Sequence, residues 1–105
     1  MKKVCVIGGS GFMGSHTADE LTKKGYDVTV FDCVKSQWIN ERQKMVVGDI
    51  LDVELLIEVV RNAQYVYHFA GVADISVAKQ NPSQTINLNI MGVTNALEAA
   101  VQAEV

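Results

Sequence analysis

The apolar, β-branched run KVCVI at residues 3 to 7 passes directly into GGSGFMG, residues 8 to 14. No other stretch restricts the possible folds as much. Glycine lacks a Cβ, so a run of glycines lets backbone segments approach where other residues would collide. A strand that ends in such a turn and enters a helix predicts a βαβ unit, in which the helix carries the chain across to a parallel neighbour. The rest of the sequence repeats that alternation. DVTVF at 27 to 31, KMVV at 44 to 47 and YVYHF at 65 to 69 read as further strands. Helical patterns run from Phe12 to Lys24, from Val53 to Arg61, and onward from Ser83. Gly25 suits a left-handed helix end, Asp52 an N-terminal cap, and Pro82 with Ser83 a helix start. Parallel strands joined by right-handed crossovers predict an α/β fold with the strand order 3-2-1-4 and helices flanking the sheet.

A chain of 105 residues supports one hydrophobic core. Its net charge of -3 gives no electrostatic basis for a nucleic-acid partner. MKK followed by VCVI imitates the start of a signal peptide, but the apolar run stops at Gly8. Nothing approaches the ~20 apolar residues of a membrane span, so no membrane partner is expected. Cys5 and Cys33 fit neither a metal-ligand cluster nor a disulfide framework, and a reduced, cytoplasmic protein is expected. Trp38, in the connection from 33 to 43, reads as a packing anchor.

The glycines can be read in two frames. Gly9, Gly11 and Gly14 spell G-x-G-x-x-G, while Gly8, Gly11 and Gly14 spell G-x-x-G-x-x-G. Gly11 and Gly14 belong to both. In either frame the unpaired amides of the first helical turn and the helix dipole favour an anion such as a pyrophosphate. Asp32 ends the second strand about 20 residues downstream, where a carboxylate accepts the hydroxyls of an adenosine ribose; without a ligand it would be a turn residue or a solvated charge. Strand, glycine turn, helix and acid together predict a Rossmann-type dinucleotide site. Asp32 would repel a 2'-phosphate, which favours NAD over NADP, with Lys35 the nearby cation. In the last helix Ile86, Ile90, Val93, Leu97 and Ala100 form one apolar stripe, and Asn89 falls within it. An amide there requires partners, such as a carbonyl one turn back or a buried water.

GGSGFMGSH, FDC, GDI, HFAG and NIMGVTNALEAA occur in an order and spacing that resemble the extended short-chain dehydrogenase/reductases, which include NAD-dependent nucleotide-sugar epimerases and dehydratases. The resemblance selects the frame of Gly8, Gly11 and Gly14, with Gly9 an accessory. It implies that Phe12 and Met13 lie in the phosphate turn and that Asp32 holds the adenosine ribose. Asp49 and Ile50 would contact adenine. Phe69, Ala70 and Gly71 would run beside the inner phosphate and nicotinamide ribose, with Gly71 replacing the commoner alanine as in epimerases of the UDP-galactose type. Asn89 and Gly92 match Asn-x-x-Gly, whose asparagine supports the catalytic site, although Val93 replaces the usual threonine.

His68 reads as a structural histidine rather than a proton-transfer group, and Ser76 as either a substrate contact or a surface residue. The family's Tyr-x-x-x-Lys pair is not matched by Tyr26, Tyr65 or Tyr67. Residues 1–105 are therefore expected to be the N-terminal NAD-binding portion of a truncated fold, without the catalytic tyrosine and lysine or the substrate domain. Nucleotide-sugar would bind only in a full-length enzyme. HFAG and VADIS at 72 to 76 favour an epimerase. A non-catalytic dinucleotide sensor or scaffold is the alternative. The strand at 65 to 69 would leave an open edge, so a homodimer is expected, through that edge or the last helix.

Overall fold

The computed structural model describes residues 2–72 and 74–105; Ala73, within the 72–76 segment, and Met1 lie outside the described residues. Four strands form one parallel sheet: β1 (Lys3–Ile7), β2 (Asp27–Asp32), β3 (Gln43–Val47) and β4 (Ala63–His68), in the order β3-β2-β1-β4. This is the expected 3-2-1-4. Ile7 lies opposite Phe31 on one side and His68 on the other.

β1 is apolar throughout because both of its faces are covered. Val4 and Val6 pack with Ala18, Val28 and Val30 under α1 (Phe12–Lys23). Cys5 and Ile7 pack on the opposite face with Leu56, Val59 and Val60 of α2 (Val53–Val60). The crossover direction reverses after β3, so α1 and α2 lie on opposite faces and the two halves of the sheet part at the C-terminal ends of β1 and β4.

The local stop and start signals operate as expected. Gly25 adopts φ +94° and donates its N–H to the Thr22 carbonyl at 3.0 Å, ending α1. The Asp52 carboxylate accepts from the Leu55 amide at 3.2 Å, opening α2. The structure adds α3 (Ile75–Gln80), capped by Asp74, which accepts from Ser76 and Val77. Helix α4 (Pro82–Ile86) continues through a π turn (Asn87–Met91) into α5 (Gly92–Gln102). Among the described residues, no helix is long and apolar enough to cross a membrane.

Two expectations need correction. The stripe Ile86, Ile90, Val93 and Leu97 is exposed rather than packed on the sheet, and only Ala100 is half-buried. The buried face of α5 is instead Gly92, Ala96 and Ala99, whose small side chains let the helix lie close to α2 and the sheet. Residues one position further along, such as Val93 and Leu97, point about 100° away from that face. Trp38 is half exposed, with 51% of its surface accessible, and is no core anchor.

Candidate active-site cleft

A cleft of about 330 Å³ opens at the C-terminal ends of the strands. Gly8, Gly11, Asp32, Asp49, Ile50, Phe69, Ala70 and Gly71 all line it, so four segments far apart in sequence converge on one space. Phe12, Met13, Gly14 and Asn89 are not part of its lining.

The glycines have separate physical reasons. Gly8 adopts φ +83°, and a Cβ there would lie 2.5 Å from the Ala70 nitrogen and 2.7 Å from the Phe69 carbonyl carbon. A Cβ on Gly14 would collide with the Gly8 carbonyl oxygen, so helix α1 can pack against the turn only if position 14 is bare. Gly9 presses on Val30, where a Cβ would meet Cγ1 at 2.5 Å, which makes it a packing residue more than an accessory. Gly11 differs from all three. Its φ of -80° suits any residue, and a Cβ would meet nothing closer than the Gly8 oxygen at 3.6 Å. No contact among the described residues explains a glycine at this position, and Gly11 faces the cleft.

Helix α1 begins without a side-chain cap. Its first helical bond runs from the Ser15 N–H to the Gly11 carbonyl at 2.9 Å, so the amides of Phe12, Met13 and Gly14 precede the helical ladder and point out of its N-terminus. Phe12 and Met13 are exposed there, and Phe12 packs edge-on against His16 at 4.7 Å.

At the end of β2 the Asp32 carboxylate accepts two backbone amides, Ser10 N–H at 3.0 Å and Cys33 N–H at 2.7 Å, one on each oxygen. The Ser10 hydroxyl donates to the Val34 carbonyl at 2.7 Å. Desolvation beside the cleft raises the pKa of the Cys33 thiol, helped by its hydrogen bond to Asp32 and that group's charge. Burial pushes Cys5, inside β1, up to about 12. Both cysteines are free thiols.

Asp49 accepts from the Leu51 amide at 2.9 Å, which turns the chain after β3. Ile50 is buried against Gly92, and its carbonyl accepts from the Asn95 side chain at 3.1 Å. Neither Ser10 nor Asn95 stands out in the sequence as a site residue.

On the β4 side, Gly71 adopts φ +151°, and a Cβ there would lie 2.8 Å from the Asn89 side-chain oxygen. Asn89 holds the backbone of Val72 at two points, accepting its N–H at 2.6 Å and donating to its carbonyl at 2.9 Å. The amide's partners are thus the Val72 backbone rather than the expected carbonyl one turn back or buried water, and Asn89 shapes the rim of the cleft from behind. His68 does not face the cleft. It lines a groove between β4 and α5, where both of its ring nitrogens are buried with no hydrogen-bond partner among the described residues, and desolvation lowers its pKa. Ser76 lies exposed in the first turn of α3, with its amide held by Asp74.

The profile of the NAD dependent epimerase/dehydratase family matches residues 4–105. The chain belongs to that family. UDP-N-acetyl-alpha-D-glucosaminuronate decarboxylase of Bacillus cytotoxicus is 34% identical over 111 residues, covering 99% of this chain and 35% of the relative. A UDP-glucose 4-epimerase from Thermotoga maritima, solved with UDP-glucose, superimposes with a TM-score of 0.92 at 30% identity, over 98% of this chain and 35% of the other. The Brucella ovis UDP-glucose 4-epimerase in complex with NAD gives a TM-score of 0.89 at 32% identity, over 99% and 33%. The chain therefore spans about a third of the length of these relatives.

Proposed function

We propose that the chain binds NAD across the cleft and serves as the cofactor-binding portion of a nucleotide-sugar epimerase resembling UDP-glucose 4-epimerase. The observation that carries this reading is Gly11, a residue kept bare toward the cleft without any contact among the described residues that requires it. A diphosphate approaching the amides of Phe12, Met13 and Gly14 supplies a reason. Asp32 then receives the adenosine ribose, Asp49 and Ile50 flank the adenine, and Phe69 to Gly71 run along the nicotinamide half. Asn89 supports that last segment by fixing Val72. Bound there, NAD supplies a hydride acceptor and donor. The chain's own residues hold and orient it.

The relatives named above support a nucleotide-sugar as substrate of the whole enzyme. A chimera in which these 105 residues replace the corresponding third of a UDP-glucose 4-epimerase tests this. Interconversion of the UDP-sugars by a folded chimera is expected; a folded chimera that binds NAD yet leaves the sugars unchanged would contradict it.

The exposed apolar stripe of α5 supports a homodimer, and two free thiols support a reducing, cytoplasmic setting.

A further inference from the structure

We propose that Ser10 is a positioning residue that sets the preference for NAD over NADP by fixing the Asp32 carboxylate, an inference that rests on the NAD reading above. Ser10 occupies the variable position between Gly9 and Gly11 and belongs to neither glycine frame. The structure ties it twice to the end of β2. Its amide donates to Asp32 Oδ2 at 3.0 Å, and its hydroxyl donates to the Val34 carbonyl at 2.7 Å. The Cys33 amide holds Oδ1 at 2.7 Å from the other side.

A carboxylate gripped at both oxygens has little rotational freedom left to lose when it accepts ribose hydroxyls, which is the benefit of pre-organisation. The same grip prevents it from turning away from a 2'-phosphate. Each oxygen accepts one amide and retains capacity for a further donor on the cleft side. The Ser10 hydroxyl is the removable component of this clamp. Without it the segment that follows Asp32 loses its tie to the glycine turn, and the Asp32 carboxylate gains rotational freedom. The hydroxyl thus acts on the cofactor only through Asp32.

Calorimetric titration of the whole chain with NAD and with NADP tests this in the wild type, Ser10→Ala and Ser10→Thr. Ser10→Ala is expected to weaken NAD about threefold to tenfold while NADP holds or tightens, so the ratio of the two affinities narrows. Ser10→Thr, which keeps the hydroxyl, should restore the ratio. In an Asp32→Ala background, Ser10→Ala should add nothing further. Equal weakening of both cofactors, an unchanged ratio, or a Ser10 effect that persists without Asp32 would overturn the assignment. Binding of NAD by the wild type with an unchanged ratio in Ser10→Ala would sink this inference alone, whereas no binding of either cofactor by the wild type would sink the NAD reading with it.

Discussion

The β1–β2 centre and the β4–α5 flank are built from the same kinds of residue, yet one is closed and the other open. In the centre, Val4, Cys5, Val6 and Ile7 are completely buried, and Gly8 and Gly14 after them are closed in by backbone that leaves no room for a Cβ. On the flank, Tyr65, Tyr67, Val93 and Leu97 are exposed, and His68 has buried nitrogens with no partner among the described residues. The difference separates what fixes the cleft from what remains available for contact. Rigidity is concentrated where segments far apart in sequence must meet closely, and the flank carries apolar surface that the centre has no room for.

The contrast breaks most readily at the turn. Gly14→Ala places a methyl against the Gly8 carbonyl oxygen and 2.7 Å from Gly9 Cα, and backbone cannot yield as a side chain does. It should lower stability by about 3 kcal/mol, read as a shifted denaturant midpoint with an unchanged slope. A neutral effect would show that the centre is looser than its contacts imply.

Asn89→Ala tests the seam between the two regions. Loss of both bonds to Val72, which is half-buried, should cost about 1 to 2 kcal/mol and accelerate hydrogen exchange at the Val72 amide. Protection that survives the substitution would show that the rim is held by something other than this amide.

His68 sharpens the comparison through pH. Its ordinary value is 6.5, and desolvation lowers it in the folded chain, so the unfolded chain takes up the proton first. The associated stability is present above about pH 6.5 and is lost as the pH falls through the unfolded value toward the lower folded one. His68→Phe should raise stability by about 1 kcal/mol at neutral pH and flatten that acid-side decline, as thermal unfolding across the range would show. A decline that stays equally steep would assign it to other groups.

The smallest effect on folding is expected on the open helix face. Leu97→Gln combined with Val101→Gln should change monomer stability by only about 0.5 kcal/mol. The same pair should dissociate a homodimer in light scattering, whereas an unaffected dimer would move the interface to the β4 edge.

Features set by near neighbours along the chain are legible in the sequence itself. Gly25, Asp52 and Pro82 mark helix ends because capping depends on a few adjacent residues, and the sheet order follows from β/α alternation and crossover handedness. The cleft residues 8, 11, 32, 49 and 50 and 69 to 71 converge because parallel strands place their C-terminal ends together. The face that α5 buries is not legible. Its large apolar residues outweigh Gly92, Ala96 and Ala99 in a periodicity argument, while close packing on α2 selects the small ones. The π turn at Asn87–Met91 shifts the helical phase just where the stripe would be counted across it. Ser10 and Asn95 carry no signal in the sequence because both act by bonding backbone distant along the chain, and nothing in their immediate surroundings marks that role.

Gly11 gives the most direct test of the account, because it alone among the turn glycines is bare toward the cleft and not toward the protein. Calorimetry with NAD, paired with thermal unfolding, should show Gly11→Ala folding with a stability within about 1 kcal/mol of the wild type yet binding NAD at least about tenfold more weakly. Undiminished NAD binding by the folded variant would contradict a diphosphate seated on this turn.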